Sequence, residues 1–310
     1  MQLIFVYFYL KSNTKTQYQV ITSESYNNMQ EHYKKLLTYA YNIVGSYEDA
    51  RDLVQDVLEK YIVLDKANIR HEPNFLIKST INHAINFKTR QSKKEVFGEW
   101  LPEPVSFENA DTKLIKDETA SYTMLVLLEH LNPKERATFI LKEGFNYSHA
   151  EIAELLEIST ENSRQLLSRA SKQLKGGKFS IERQRASVHV ETLGKYQAAL
   201  AHGNIEELEH LLVSDIKLNA DGGTKVQVVK GAEMGKTATA TLLVYVQQQF
   251  LLDKEFTFQF FNHQPAICFW ENSKLHNCHI LQLNNDGLIQ EIYSVVDPEK
   301  LKNITKLSRL

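Results

Sequence analysis

The stretch from Tyr147 to Lys175 constrains the fold most, because its pattern predicts two short helices around a tight turn. Ser148 and Glu151 form a capping box at the start of the first helix, and Thr160 is placed to cap the second. Small and apolar residues then recur on one side of the second helix, namely Ser163, Leu167, Ala170 and Leu174. This arrangement predicts a helix-turn-helix whose second helix can enter a DNA major groove.

The other side of that second helix carries basic, amide and hydroxyl side chains, which suit a nucleic-acid surface. Arginine and glutamine can pair with base edges, whereas serine and lysine suit phosphates. The residues concerned are Arg164, Gln165, Ser168, Arg169 and Lys172. The same pattern also fits an ordinary helical hairpin with a solvated basic face, so further features have to decide.

Chain length and charge limit how such a surface could work. A chain of 310 residues predicts two or three domains. The net charge of −2 excludes a polycation that coats DNA, so contact with DNA must come from local patches or through a partner. Cys268 and Cys278 are expected to be free thiols. Met1 to Leu10 is apolar but too short to span a bilayer, so we predict a tail over residues 1–25 and a cytoplasmic chain without membrane contact.

Residues 26–92, the first module, are predicted to contain three helices. The first runs from Met29 to Val44, and the second, Tyr47 to Leu64, combines an apolar stripe with a face of acids and amides. Members of that face include Asp49, Asp52, Gln55 and Asp56. The third helix, Asn74 to Arg90, exposes polar residues that include Asn82, Asn86, Lys88 and Arg90. Such residues beside Phe75 and Phe87 suit melted DNA; a solvated face over core phenylalanines is the alternative.

Residues 93–116 are predicted to be a linker, because the prolines of Trp100-Leu101-Pro102-Glu103-Pro104 preclude a continuous helix. Residues 117–178, the second module, are predicted to be helical again. Its first helix spans Asp117 to Leu131, Asn132-Pro133 starts the next, and the helix-turn-helix follows.

Residues 183–305, the C-terminal domain, change character and predict an α+β fold. Two helices come first, and alternating strand patterns separated by turns follow a third helix. The predicted strands are Asp215 to Asn219, Val226 to Val229, Glu255 to Phe261, Ala266 to Glu271, His276 to Leu283 and Ile289 to Val295. We expect a curved antiparallel sheet, with Asp221 to Lys225 as a turn.

Acid, base and metal-ligand residues occur in this domain without a recognisable catalytic spacing. The candidates are His263, His276, His279, Asp253 and Asp286, and no acid–base pair among them is identifiable. Cys278 is also a possible metal ligand, but period-two alternation turns His279 to the opposite strand face. We therefore predict no enzyme, no metal and no cofactor.

Together these motifs resemble bacterial extracytoplasmic-function sigma factors of the sigma-70 family. The resemblance rests on Asp52-Leu53-Val54-Gln55-Asp56 in the first module and on the helix-turn-helix of the second. The Trp100–Pro104 sequence is specific to a subset that carries a SnoaL-like cone domain. The Asp221–Lys225 and Asp297–Leu301 runs match signatures of that domain, with Thr224 in place of a glycine and Asp297 in place of the usual asparagine. The implied fold is multi-domain, with two all-α sigma modules followed by an α+β SnoaL-like cone.

The resemblance also implies roles for particular residues. Asp49, Asp52, Gln55 and Asp56 match the helix that binds core RNA polymerase. Asn82, Asn86, Lys88 and Arg90 fall where the family reads and melts the −10 promoter element. Arg164, Gln165, Ser168, Arg169 and Lys172 fall where it reads the −35 element. Phe75-Leu76 stands where many members have Trp-Leu, and Asn86-Phe87 where an aspartate is usual, which leaves the −10 preference open.

The expected function is therefore promoter recognition and transcription initiation, with the cone as a fused regulator of sigma activity. The predicted regulatory contact is intramolecular and comprises Asp221, Gly222, Gly223, Lys225, Asp297, Pro298 and Leu301. One alternative is a free-standing helix-turn-helix regulator that senses a small molecule in the cone, and another is a cone enzyme with a tethered helical module. The sequence does not give the promoters, the inducing signal, any ligand, or whether the cone represses or assists.

Overall fold

The computed structural model describes residues 23–65, 69–91, 99–108, 112–174, 186–228 and 235–306. Three helices form the first module: α1 (Ser23–Val44), α2 (Tyr47–Val63) and α3 (Glu72–Gln91). Helix α1 begins inside the predicted tail, six residues before the predicted start at Met29, and residues 1–22 lie outside the described residues. Gly45, with φ of 77°, separates α1 from α2, and the Ser46 hydroxyl caps α2 by accepting from the Asp49 amide.

Four helices form the second module: α4 (Tyr122–Leu128), α5 (Pro133–Phe139), α6 (His149–Leu156) and α7 (Thr160–Gln173). The predicted helix from Asp117 to Leu131 is thus too long; a 3₁₀ turn at Lys116–Glu118 comes first, and the Ser121 hydroxyl caps α4. The predicted starts of α5 and α6 are confirmed, since Asn132 with Glu135 and Ser148 with Glu151 both form complete capping boxes.

The helix-turn-helix prediction is confirmed by α6 and α7, with two local differences. The cap of α7 is Ser159, whose hydroxyl accepts from the Asn162 amide, and Thr160 is the first helical residue. Glu157 ends α6 in the left-handed conformation, with φ of 54°, where glycine is the usual residue.

The C-terminal domain combines four helices with one five-stranded sheet. Its helices are α8 (Ala186–His202), α9 (Ile205–Leu211), α10 (Gly235–Val246) and α11 (Pro298–Leu301), and its strands are β1 (Leu212–Asp221), β2 (Glu255–Phe261), β3 (Gln264–Glu271), β4 (Lys274–Leu283) and β5 (Ile289–Val295). The strand order is β1-β5-β4-β3-β2. Residues 226–228 are not in a strand, so the predicted strand there is wrong in its described part.

The prediction of a wholly antiparallel sheet is wrong, because β1 pairs with β5 in parallel. A long connection that includes α10 and β2 to β4 separates β1 from β5 in the chain, and this length allows the two strands to run in the same direction. The other three pairs, β2 with β3, β3 with β4 and β4 with β5, are antiparallel. An α+β domain is confirmed, whereas its assignment as a SnoaL-like cone stays a prediction.

Three apolar cores hold these parts together, and two of them cross the predicted boundaries. One continuous core contains residues from α1 to α7, so the two helical modules pack against each other. A second lies between α8 to α10 and one face of the sheet. The third lies on the opposite face, where Leu101 of the linker and Tyr122 and Val126 of α4 pack against Trp270 and Tyr293. The sheet is therefore covered on both faces. Among the described residues, no helix is both long and apolar enough to cross a membrane.

Candidate nucleic-acid interface

The predicted −35 residues lie together on one exposed face of α7. Ser163, Leu166 and Ala170 point into the core and fix the orientation of the helix. The five side chains predicted to meet DNA are all exposed: Arg164, Gln165, Ser168, Arg169 and Lys172. Arg164 lies 3.5 Å from the Glu161 carboxylate, one turn away. The structure thus presents a cationic face that a DNA backbone and its base edges could reach.

The predicted polymerase-binding residues also remain largely accessible on α2. Asp52, Gln55 and Asp56 are exposed, and Asp49 is half-buried in the first turn. Gln55 donates to Glu59 at 2.9 Å, and Asp56 lies 3.6 Å from His83. The buried stripe of α2, formed by residues that include Leu53, Val54 and Val57, anchors the helix so that its acidic face points outward.

The predicted −10 residues on α3, in contrast, divide into two pairs. Asn86 and Arg90 are exposed. Asn82 is half-buried and donates to the Leu155 carbonyl of α6 at 3.1 Å. Lys88 is held inside the molecule, with its ammonium 2.6 Å from the Glu129 carboxylate of the second module and donating to the Val44 carbonyl at 3.2 Å. Half of the predicted −10 set is therefore occupied by other parts of the same chain.

Burial changes the electrostatics around Lys88. Desolvation, with the nearby positive charge of Arg136, lowers the pKa of Lys88 to about 8, although Glu129 opposes that shift. Arg136 is fully buried, forms an ion pair with the same Glu129, and donates through Nε to the Asn42 carbonyl at 3.0 Å. Glu129 thus joins one cation from each helical module.

Trp100 of the linker connects this ion-pair cluster to the C-terminal domain. The Lys88 ammonium lies 4.1 Å from the centre of the Trp100 ring, and the Lys300 ammonium of α11 lies 4.2 Å from it. Two cation–π contacts therefore join the first module, the linker and the C-terminal domain. Gly45 allows this approach, because a Cβ there would lie 2.9 Å from the Trp100 ring.

Among the predicted regulatory residues, Asp221 has a buried carboxylate that joins several segments of the chain. This carboxylate accepts from the Leu101 amide at 2.8 Å and from the Gly223 amide at 2.8 Å, and it forms an ion pair with Lys300. Lys300 also donates to the Leu101 carbonyl. One acidic side chain of the C-terminal domain thereby fixes the linker and α11 together.

The two signature runs of the C-terminal domain fit closely against each other. Gly223 has φ of 58°, and a Cβ there would lie 2.4 Å from the Asp297 carboxylate. A Cβ on Gly222 would lie 1.7 Å from the Val226 carbonyl oxygen. Lys225 forms an exposed ion pair with Glu299, Leu301 is buried beside Leu101, and Pro298 is exposed at the start of α11. Among the contacts described, those of Asp221 and Leu301 reach the linker, whereas Gly222, Gly223, Lys225 and Asp297 meet residues of the C-terminal domain itself. Pro298 is the first residue of α11.

Contacts missed by the sequence analysis extend this interface. Glu103 of the linker accepts from the Ser46 hydroxyl and from the amides of Tyr47 and Glu48 at the start of α2, at 3.1, 2.7 and 3.2 Å. Lys302 and Asn303, just after α11, both bind the Glu48 carboxylate. The polar turn between β2 and β3 also contacts the helical modules. The asparagine there signals the turn, because asparagine favours positive φ, but no local pattern signals the contact.

The acid, base and metal-ligand candidates of the C-terminal domain do not converge. His279 is buried under α8, where the Tyr196 hydroxyl lies 3.0 Å from its Nδ1, and burial lowers its pKa to about 4. His263 is in the turn between β2 and β3, and Asp253 and Asp286 are exposed. Within the described ranges, no group of three or more His, Cys, Asp or Glu side chains is arranged to hold a metal ion.

Comparisons with known proteins agree with the helix-turn-helix geometry. The family model for sigma-70 region 4 matches residues 123–174, the stretch that runs through α4 to α7. ECF RNA polymerase sigma factor SigJ of Mycobacterium tuberculosis is 30% identical over 209 residues, which cover 64% of this chain and 66% of SigJ, so about a third of SigJ lies outside the match. Probable ECF RNA polymerase sigma factor SigI of the same species is 24% identical over 87% of this chain and 92% of SigI.

A solved structure extends the likeness to the arrangement of the whole chain. The crystal structure of M. tuberculosis extracytoplasmic function sigma factor SigJ matches with a TM-score of 0.71 at 23% identity, over 89% of this chain and 97% of SigJ. At that identity the match shows a shared fold. The region 4 match and the sequence relatives lead to one conclusion: residues 123–174 carry sigma-70 region 4, and the chain is similar to RNA polymerase sigma factors of the extracytoplasmic-function type.

Proposed function

We propose that this chain directs core RNA polymerase to promoters and that its C-terminal domain, a SnoaL-like cone, is a fused regulator of that activity. The observation that carries the proposal is the contrast between two helices. The predicted DNA face of α7 is exposed, whereas that of α3 is partly held by the second module, the linker and, through Trp100, the C-terminal domain.

Promoter binding in this proposal depends on a protein partner. The net charge of −2 gives the chain no general attraction to DNA. The acidic face of α2 would dock on core RNA polymerase, which would then place α7 over the −35 element and α3 over the melted −10 strand. Arg164 and Arg169 would read base edges or phosphates, and Arg90 would meet the −10 strand.

Regulation in this proposal is competition between intramolecular contacts and the promoter complex. Lys88 cannot pair with Glu129 and with a DNA phosphate at the same position, and Asn82 cannot bind both Leu155 and a base. The C-terminal domain is covalently attached, so it competes at high effective concentration. Contacts of Lys302 and Asn303 with Glu48 place its tail beside Asp49, at one end of the predicted polymerase-binding face.

Co-purification with bacterial core RNA polymerase tests the first part. The Asp52→Lys, Gln55→Ala double variant should lose binding to the polymerase, because it reverses one charge of the exposed acidic face and removes one of its amide groups. Glu154→Lys, a charge reversal at an exposed acid of α6, is the matched control and should bind as the unaltered chain does. A double variant that binds polymerase normally would refute the proposed docking face.

Run-off transcription on a matching promoter tests the second part. Ending the chain just before Asp297 removes α11 and with it the contacts of Lys300 with Asp221, Leu101 and Trp100, so transcription per bound polymerase should change. Arg169→Ala should weaken −35 binding by about tenfold while leaving polymerase binding intact. An unchanged transcript yield from the shortened chain would refute the regulatory role.

A further inference from the structure

The turn between β2 and β3 reaches out of its own sheet into the junction of the helical modules and the linker. Asn262 and His263 form this turn with φ of 46° and 70°. Such pairs of positive φ values are typical of tight two-residue hairpins and by themselves need no partner. Asn262, however, is fully buried, which is unusual for an amide at a hairpin tip.

Asn262 pairs with the linker much as a residue of a neighbouring strand would. Its backbone amide donates to the Val105 carbonyl at 3.0 Å. Its side-chain carbonyl accepts from the Val105 amide at 2.9 Å. Both backbone polar groups of one linker residue are thereby satisfied by this single asparagine, in a place where water is excluded.

The same asparagine reaches both helical modules. Its Nδ2 donates to the hydroxyl of Tyr41 in α1 at 2.9 Å, and that hydroxyl donates in turn to the Glu103 carbonyl at 2.7 Å. Burial raises the pKa of Tyr41, so the hydroxyl stays protonated and able to donate. The Asn262 carbonyl accepts from the Tyr122 amide, at the start of α4, at 3.1 Å.

The residues after Asn262 add contacts to the second module and the linker. His263 donates through Nε2 to the Thr119 carbonyl at 3.1 Å, and its ring stacks on Phe107 with 5.0 Å between ring centres. Gln264 accepts from the Thr123 amide at 2.6 Å. Three consecutive residues therefore contact the first module, the linker and the second module.

A second hairpin of the same domain shows that the turn conformation does not explain these contacts. Asn272 and Ser273, between β3 and β4, have φ of 49° and 64°, close to the values of Asn262 and His263. Both residues are exposed. The two turns thus share an asparagine and a backbone shape, and they differ in what surrounds them.

We propose that the Asn262–Gln264 turn is a third docking element of the C-terminal domain, which clamps the two helical modules and the linker at one point. This inference rests on the proposed regulatory function and adds a surface outside both signature runs. This position requires asparagine, because the short amide side chain donates to the Tyr41 hydroxyl and accepts from the Val105 amide at the same time. Aspartate would keep the acceptor only, and glycine would keep neither.

The test compares Asn262→Gly with Asn272→Gly in the full chain. Glycine accepts positive φ, so both hairpins should still form. Hydrogen exchange is measured at the Glu103 and Tyr122 amides, whose own acceptors are backbone carbonyls that both variants retain. In Asn262→Gly the Val105 amide and the Tyr41 hydroxyl lose their side-chain partner, so the contact between the turn and the rest of the chain should open more often. Exchange at the Glu103 and Tyr122 amides should then be about tenfold faster or more. Asn272→Gly should leave them unchanged.

Affinity for core RNA polymerase separates this inference from the regulatory proposal. If the clamp opposes polymerase binding, Asn262→Gly should bind about threefold more tightly or better. Faster exchange with unchanged affinity would support the docking element and count against its regulatory use. Unchanged exchange at Glu103 and Tyr122 in Asn262→Gly would overturn the docking element, even if ending the chain before Asp297 still altered transcription.

Discussion

Helices α3 and α7 are both predicted to read DNA, yet the structure treats them differently. On α7, all five predicted residues are exposed, and the buried side is anchored in the core of its own module. On α3, Asn82 and Lys88 are bound by Leu155, Glu129 and Val44, while Asn86 and Arg90 are exposed. One predicted DNA surface is therefore accessible in this conformation, and the other is only half accessible.

From this difference we propose that the conformation is a closed one, in which release of α3 is the step that regulation controls. Contacts that hold α3 come from the second module directly and from the C-terminal domain through Trp100 and Lys300. Substitutions that break the contacts made by the C-terminal domain should expose α3 and leave the exposure of α7 unchanged.

The largest effect is expected from Asp221→Ala. Removing this carboxylate leaves Lys300 without its buried partner and the Leu101 amide without an acceptor. Breaking a buried ion pair from one side costs about 3–5 kcal/mol, so the C-terminal domain should release the linker. Thermal unfolding measures the lost stability, and hydrogen exchange along α3 measures the opening. Asp253→Ala, at an exposed acid of the same domain, is the control; equal exchange along α3 and α7 in Asp221→Ala would contradict the asymmetry.

A steric substitution at Gly223 should have the next largest effect. Gly223→Ala introduces a Cβ 2.4 Å from the Asp297 carboxylate and a residue with a side chain at positive φ. Strain and displacement together should lower the free energy of unfolding by about 2–4 kcal/mol.

Gly235→Ala is the matched control for that substitution. Gly235 also has positive φ, of 73°, but no atom of the described residues lies within 4 Å of a Cβ placed there. Gly235→Ala should therefore lower the free energy of unfolding by only about 1 kcal/mol, from the backbone strain alone. Chemical denaturation of both variants gives the difference, and similar losses in both would show that the close fit of the signature runs does not matter.

Glu103 predicts a pH dependence of the closed conformation. Burial raises the pKa of Glu103 to about 7, although its hydrogen bonds at the start of α2 favour the charged form and partly offset the rise. Between pH 4.5 and 7 the folded chain binds this proton more tightly than the unfolded chain does. The contribution of Glu103 to stability is therefore complete below that window and decreases as pH rises through it, by about 1–3 kcal/mol.

Glu103→Gln isolates that contribution, because glutamine does not titrate. The difference in free energy of unfolding between the unaltered chain and Glu103→Gln, measured from pH 4.5 to 7.5, should change in favour of the variant as pH rises. A difference that stays constant with pH would show that Glu103 does not titrate in this window.

The smallest effect is expected from Lys78→Gln. Lys78 of α3 lies 2.8 Å from Glu157, but both side chains are partly exposed to water, at 37% and 73%. Exposed ion pairs contribute at most about 1 kcal/mol, and salt screens them. Denaturation should show a loss below about 1 kcal/mol that disappears in 1 M salt. A larger loss, or one that survives salt, would mean that this contact is a main restraint on α3.

Local patterns predicted much of this molecule. Helical period and capping residues placed α2, α6 and α7 within a few residues, and β2 and β5 have the predicted bounds. The side of α7 that faces solvent followed from the spacing of Ser163 and Ala170. These features depend on neighbours in the sequence, which is why the sequence alone sufficed.

Features that depend on distant contacts were missed or misjudged. Lys88 has the same local setting as an exposed basic residue, and only the approach of Glu129, Trp100 and Arg136 removes it from solvent. The parallel pairing of β1 with β5 depends on a crossover that leaves no periodic signal. Asn262 and Asn272 are alike as turn residues, and tertiary packing alone distinguishes them.

The distance between α3 and α6 tests the central claim most directly. Spin labels on cysteines at Asn86 and Glu154, both exposed positions, would report it by pulsed electron resonance, while Cys268 and Cys278 are buried and should stay unlabelled. The account predicts one short distance in the free chain and a clearly longer one when core RNA polymerase and promoter DNA are bound. The same short distance in the bound state would contradict it.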